Sequence, residues 1–343
     1  MDVPPPQDYH PLPDKLFLNV GDGRFEDISV EAGIRTDGMG LGVVAADFNR
    51  DGRPDLCVAN DVVGNHLYWG SSSFPLREDG ERSGIAYNES GSPEGSMGID
   101  AEDVNGDGLP DIWVTNFELE DNSLYLNLGD NHFQHGSARM GLAGIGRALV
   151  GFGTGFQDFD NDGWPDLYIL NGHVQYHSPR SPFLQPAFLL RNVEGRRFED
   201  ITPRAGPWFS VPRAGRGAAV GDLNNDGTLD LIISSLDEPL TILRNRLRTT
   251  GSLRLRLIGV GSSRDPIGAV ISSPFRDRRI IRFAKSGAGY MSQSDPRIVI
   301  PLDSDADSVE VAVNWPSGRH EVFREPAVAG DHVLVEGRGE KFH

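Results

Sequence analysis

The stretch Asp158-Phe-Asp160-Asn-Asp162-Gly163-Trp164-Pro-Asp166 constrains what this chain can fold into more than any other. Its carboxylates alternate with spacers, and Gly163 sits where the backbone has to turn with positive φ. An irregular loop of this kind brings the alternating side chains together, and like charges that close repel strongly without a cation between them. Calcium meets the need, because it accepts roughly 6–8 oxygen ligands at about 2.4 Å in flexible geometry. The main-chain carbonyl of the seventh residue, Trp164, completes the expected ring.

The loop recurs as Asp47, Asn49, Asp51, Gly52, Arg53, Asp55, then as Asp103, Asn105, Asp107, Gly108, Leu109, Asp111, and again as Asp222, Asn224, Asp226, Gly227, Thr228, Asp230. Asn is acceptable at the third position because an amide oxygen also ligates calcium. The expected metal set is therefore the side chains at positions one, three, five and nine of each copy. To these are added the carbonyls of Arg53, Leu109, Trp164 and Thr228, for up to four calcium ions. A single copy reads equally well as an Asx turn between strands. Four copies sharing five positions favour calcium. These are not EF-hands, which need Glu at position twelve, where this chain has Val58, Val114, Ile169 and Ile233. Short β-branched and aromatic runs follow each loop, so the sites are expected in turns between strands.

Composition agrees. The 42 Gly and 23 Pro suit many short strands joined by tight turns. The net charge of −18 excludes a nucleic-acid partner, which needs a basic patch to displace counterions. Four bound dications would bring that charge to −10. The lone Cys57 lies in an apolar strand and reads as a buried small hydrophobe. No stretch approaches the ~20 apolar residues of a membrane span. The N-terminus has neither the basic start nor the apolar centre of a signal peptide, which read literally means cytoplasmic. Calcium loops point instead to an extracellular, cell-surface or periplasmic setting.

After a Pro-rich linker at 1–13, a hairpin spans Leu16 to Phe25, and its pattern returns at Leu124 to Phe133 and at Leu189 to Phe198. A degraded copy starts at Leu67. The acidic loops begin at 47, 103, 158 and 222, intervals of 56, 55 and 64, with the longest widened by a loop around Gln175 to Pro186. About four strands per repeat is the mark of a propeller blade. The fold class expected is all-β, a partial β-propeller over 14–245.

On these loops and this order, the region resembles the FG-GAP/VCBS repeats of integrin-like propellers, whose acidic loops bind calcium. Acidic loops stop at a polar linker, 246–252. The remainder, 253–343, carries Ser263-Arg264-Asp265-Pro266-Ile267-Gly268-Ala269, then Gly287-Ala288-Gly289-Tyr290, and finally Trp315-Pro316-Ser317-Gly318. This trio resembles the ASPIC/UnbV domain, a small β module that follows FG-GAP repeats in the cartilage acidic protein family. Ser263 replaces the Asn usual there. The resemblance implies a longer N-terminus with a secretion signal and about seven blades, so that this chain is a fragment whose propeller ends are unclosed.

Chemistry is thinly signalled. His-Glu-x-x-His, Gly-x-Ser-x-Gly and P-loop motifs are all missing. The Gly-rich runs at 144–146 and 151–155 precede an acidic loop and read as closely packed blade strands. His173 and His177 are four apart, but Pro179 and Pro182 disfavour a helix, and loop packing is the favoured reading. Arg264, Tyr290 and Asp295 could mark a pocket, although turn chemistry ranks first. Glu120, outside every motif, is expected to be an exposed and dispensable turn residue. The function expected is a non-catalytic calcium-binding scaffold for a protein or glycan ligand. The alternative is an enzyme or accessory factor with a site on the propeller face or in the ASPIC/UnbV module.

Overall fold

A computed structural model describes residues 8–249, 251–303 and 307–342. The fold is all-β, a partial propeller with the C-terminal module packed upon it. In the first blade, Gly40–Ala46, Asp55–Asn60, His66–Trp69 and Arg77–Glu78 pair antiparallel in order. The second is built from Ile99–Glu102, Asp111–Val114, Ser123–Asn127 and Phe133–His135. The third uses Gly151–Gln157, Asp166–Asn171, Phe188–Val193 and Arg197–Asp200. Three strands, Gly215–Gly221, Asp230–Ser235 and Thr241–Leu243, make the fourth. Ahead of them stands the expected hairpin, Phe17–Gly21 with Arg24–Asp27. Each acidic loop joins the first strand of a blade to its second, and the degraded copy at Leu67 is the third strand of the first blade.

The core lies between sheets rather than within them. Val44, Cys57 and Leu67 of the first blade pack on Ile99, Ile112 and Tyr125 of the second. Val104, Trp113 and Leu124 then meet Phe156, Leu167 and Leu190, and Tyr168 and Leu170 meet Val220, Leu231 and Ile233. Cys57 is 1% exposed, the small buried hydrophobe expected.

Sheets stacked this closely crowd at their innermost strands, and glycine resolves the crowding. Gly42, Gly98, Gly153 and Gly217 each stand five residues before the first Asp of a loop. A Cβ on Gly42 would fall 2.4 Å from the carbonyl oxygen of Met97, one on Gly98 2.0 Å from that of Phe152, and one on Gly153 2.5 Å from that of Arg216, each in the next blade. At Gly217 the neighbour is different: the nearest atom is Ser292 Oγ, 2.7 Å away, which belongs to the tail.

The tail has its own core. One sheet pairs Ile298–Pro301 and Gly330–Val335 with Ser252–Ile258 at its centre. The other contains Val270–Phe275, Arg278–Phe283, Ser308–Asn314 and His320–Pro326. Leu255, Ile271, Phe275, Val311, Trp315 and Leu334 fill the space between. Between Phe283 and Ile298 the chain leaves this module and crosses the inner strands of the propeller. Ser286 and Gly287 pair with Ala45 and Val44, and Gly289 exchanges two main-chain hydrogen bonds with Ile99. Tyr290 packs edge-on against Phe152 of the third blade, and Asp295 N donates to Val220 O of the fourth at 2.9 Å. Residues 286–295, expected as local turns, form a strap through the middle of the propeller.

Gly98→Ala is expected to lower the unfolding free energy by about 1–3 kcal/mol or more, as overpacking against a main-chain atom does. A urea titration checks this. The midpoint should fall at unchanged slope, and a wild-type midpoint would contradict the close-approach account.

Candidate metal centres

The four loops are held by one hydrogen-bond scheme. The first carboxylate accepts main-chain N–H groups from the far side of the turn. Asp158 takes those of Asp162 and Gly163 at 3.0 and 2.8 Å, Asp47 those of Asp51 and Gly52 at 3.0 and 2.8 Å, and Asp222 those of Asp226 and Gly227 at 3.1 and 2.8 Å. Asp103 accepts from Gly106 and Gly108 at 2.7 and 2.8 Å. The third side chain accepts the N–H of the fifth residue, and the fifth that of the seventh. Gly52, Gly108, Gly163 and Gly227 have φ between +84° and +90°. Position four is also left-handed, at Arg50, Gly106, Asn161 and Asn225. Its sequence signal is weak, since only Gly and Asn favour that region.

The ninth carboxylates act between strands. Asp55 accepts N–H groups from Phe48 and Gly70 at 2.8 and 2.6 Å, and Asp166 from Phe159 and Asn192 at 3.2 and 3.0 Å. Asp111 and Asp230 repeat the arrangement. A contact with an ion would have to use their remaining lone pairs. A further set of residues ties blade to blade. Asn127, Asn192 and Asn245 donate Nδ2 to the carbonyls of Phe48, Val104 and Phe159 at 2.9, 2.9 and 2.8 Å. The sequence signal for this tie is the Asn that recurs in or just after the third strand of these blades, in Leu-Tyr-Leu-Asn127, Leu-Leu-Arg-Asn192 and Ile-Leu-Arg-Asn245.

Burial makes the carboxylates costly. It pushes Asp47 up to about 6, a rise only partly offset by the N–H groups of its own loop. Asp158 rises to about 7, mainly by burial and despite Arg282 beside it. Burial likewise raises Asp55 to about 7 and Asp103, and it lifts Asp111 and Asp166 well above the carboxylate range. In the third loop, carboxylate oxygens of Asp158, Asp160 and Asp162 lie within 4.8 Å of one another. Asp158 is buried, while Asp160 and Asp162 are half-buried and share the Arg191 guanidinium at 2.8 Å each. An all-oxygen set of mutually repelling carboxylates fits a hard dication.

Other expected residues are placed differently. His173 is buried and His177 exposed, so they form no metal pair. His173 Nδ1 accepts the N–H of Gln175 at 2.9 Å, which puts the proton of the neutral ring on Nε2. Arg264 is exposed. Asp295 lines a cavity of about 120 Å³ between propeller and tail and pairs with Arg297, while Tyr290 packs on Phe152. Those three residues form no common pocket. Glu120 is not a dispensable turn residue either, because its carboxylate accepts the N–H groups of Gly95 and Phe117 at 2.7 and 3.2 Å. In the tail, Glu336 accepts from three successive main-chain N–H groups, of Val260, Gly261 and Ser262, and from the Ser317 hydroxyl. Burial raises that carboxyl, but these four donors prevail and hold it at about 2. The Trp-Pro-Ser-Gly turn is thus anchored structurally.

The family comparison decides the class. FG-GAP-like repeats match residues 9–58, 47–114, 103–169 and 158–233. The chain belongs to the FG-GAP repeat family. Its remaining module matches the ASPIC and UnbV family over residues 259–341. Three of the FG-GAP matches start at the first Asp of a loop, and all four end at a twelfth position. This FG-GAP protein is 25% identical to human cartilage acidic protein 1 over 321 residues, covering 90% of this chain and 38% of the relative. It is 26% identical to the Xenopus tropicalis protein of that name over 336 residues, covering 93% and 40%. The chain spans less than half the length of these curated relatives. Among solved structures, a Burkholderia pseudomallei lectin overlaps 92% of this chain and 89% of its own at 10% identity and a TM-score of 0.44. An Agrocybe aegerita lectin that recognises non-reducing terminal N-acetylglucosamine overlaps 67% and 60% at 18% identity and 0.37. Superpositions this loose carry no functional inference.

Asp162→Ala is expected to lower the melting temperature in millimolar calcium by several degrees, while exposed Glu89→Ala stays within about 0.5 kcal/mol of wild type. Equal shifts would count against the third loop as a metal centre. A pH series tests the buried charge. In chelator, Asp47 and Asp158 hold protons more tightly folded than unfolded, where Asp titrates near 4. Their contribution is then fully present below about pH 4 and is lost as pH rises through about 6 to 7. Chelated protein should therefore lose melting temperature between about pH 5 and 8, and calcium should remove much of that loss.

Proposed function

We propose that this FG-GAP protein is a calcium-stabilised, non-catalytic binding scaffold that presents its loops to a protein or glycan. It would work outside the cell, on its surface or in the periplasm, where calcium is abundant. The observation that carries this reading is the converged carboxylate trio of the third loop, set in a scheme repeated at the other three. Each ion would lock one turn between the first and second strands of a blade, using side chains at positions one, three, five and nine and the carbonyl at seven. The charged groups between propeller and tail are largely paired with one another, Lys285 with Asp100 at 2.6 Å and Arg297 with Asp295. Pairing of that kind suits a scaffold better than the alternative reading, an enzyme or accessory factor with its site on the propeller face or in the tail. Among the described residues no helix is long and apolar enough to cross a membrane.

Ions that bind only the folded state stabilise it by about 2.7 kcal/mol per site at a free concentration of 100 Kd. Thermal melts in millimolar calcium and in chelator should differ by many degrees. Coincident midpoints would overturn the reading. Glycan and protein arrays probed with calcium-loaded protein then address the partner class.

A further inference from the structure

The tail meets the propeller on the face that carries the acidic loops. Gly268 lies over the first loop, where a Cβ would be 3.4 Å from that of Asp47. Ser252 Oγ donates to Gly227 O of the fourth loop at 3.0 Å. Arg278 stacks on the ring of Trp164 in the third loop, 3.8 Å from its centroid. Two tail cations go further. Arg282 Nη2 is 3.3 Å from Asp158 Oδ2 and 3.1 Å from Gly163 O. Arg254 Nη1 is 2.5 Å from Asp222 Oδ2, with its Nε on Asp331. Both guanidiniums are buried, at 9% and 5% exposure, and each rests on the first-position carboxylate of a loop. Among the described residues, Asp47 and Asp103 have no ion pair; main-chain donors of their own loops hold them.

We propose that Arg282 and Arg254 are resident counter-cations of the third and fourth loops, so that calcium binding there and seating of the tail oppose one another. The proposal rests on the calcium reading above. A guanidinium that already offsets the charge of Asp158 or Asp222 removes part of the attraction for a dication. It then stands within a few ångströms of that dication as a like charge, in a site little screened by solvent. Coupling of this kind is reciprocal. If the arginine weakens calcium at its loop, calcium weakens the arginine's hold by the same factor and loosens the tail. The strap is the element that would register the loosening. Its main-chain bonds, Ala288 N to Val43 O and Asp295 N to Val220 O, both 2.9 Å, tie the tail to the first and fourth blades. The first loop, whose leading carboxylate carries no tail cation, would fill without disturbing it, whereas Asp103 of the second also feels the charge of Arg282.

Calcium titration by calorimetry on the full chain tests this, with Arg282→Gln, Arg254→Gln and the charge-keeping Arg282→Lys. Each Gln variant should tighten its own loop by about tenfold and leave the first loop unchanged, and Arg282→Lys should stay near wild type. Hydrogen exchange of strap amides 286–295 in wild-type protein supplies a second readout that needs no variant. It should quicken as the weaker sites fill, while amides in the Asp111–Val114 strand stay protected. Unchanged or weaker affinity in a folded Gln variant would overturn the proposal, and so would strap exchange that slows with calcium. If one Gln variant fails to fold, the other decides for its own loop. Wild-type protein that takes up no calcium at all would instead overturn the reading on which the proposal rests.

Discussion

The rest of the structure depends on the first carboxylate of each acidic loop. Asp47, Asp103, Asp158 and Asp222 are all nearly buried and feed on main-chain N–H groups of their own turn. Those bonds set the loop's curvature and so fix where the first and second strands of a blade separate. They do not neutralise the charge, and burial without neutralisation is expensive. The molecule therefore has to bring positive charge to this face. Tail guanidiniums supply it at two loops, and a divalent ion fits the same chemistry.

Blade stacking meets a second constraint at the propeller's centre. The innermost strands approach within main-chain contact, so Gly42, Gly98 and Gly153 face the carbonyl oxygens of the next blade where no Cβ fits. Beside Gly217, among the described residues, the strap of the ASPIC and UnbV module stands where another blade would pack. Exposed strand edges invite unwanted pairing, and the strap pairs with or bonds to the inner strands of three blades. Tail and propeller thereby share hydrogen bonds as well as charge. Although the tail has its own core, its seating is part of how the propeller is finished.

These two constraints meet in residues 278–297. Arg278 and Arg282 touch the third acidic loop, Lys285 reaches Asp100 in the second blade, and the strap begins at the next residue. A change at an acidic loop and a change at the propeller axis are separated by only a few residues of chain.

Much was legible in the sequence because it is local. Acid-Asn-Gly spacing over nine residues is a turn closed by its own carboxylates, and β-branched runs after each turn are strands. Repetition of both, at intervals of 56, 55 and 64, is a propeller. The three tail motifs likewise marked the module, and Cys57 read correctly as core. What the sequence could not determine lies in contacts between distant residues. Arg282 sits 124 positions from Asp158, and nothing in its own neighbourhood, Ile-Arg-Phe, announces a partner in an acidic loop. The Gly-Ala-Gly-Tyr run reads locally as a turn, and its residues 287–289 do have positive φ, yet it crosses the propeller, where glycine admits the carbonyl of Val43, 2.2 Å from where a Cβ would stand on Gly287. Glu120 resembles any exposed turn acid until folding delivers two N–H groups to it. Local spacing specifies turns and strands, whereas the partners of a buried charge and the occupant of a close approach are chosen only when the sheets come together.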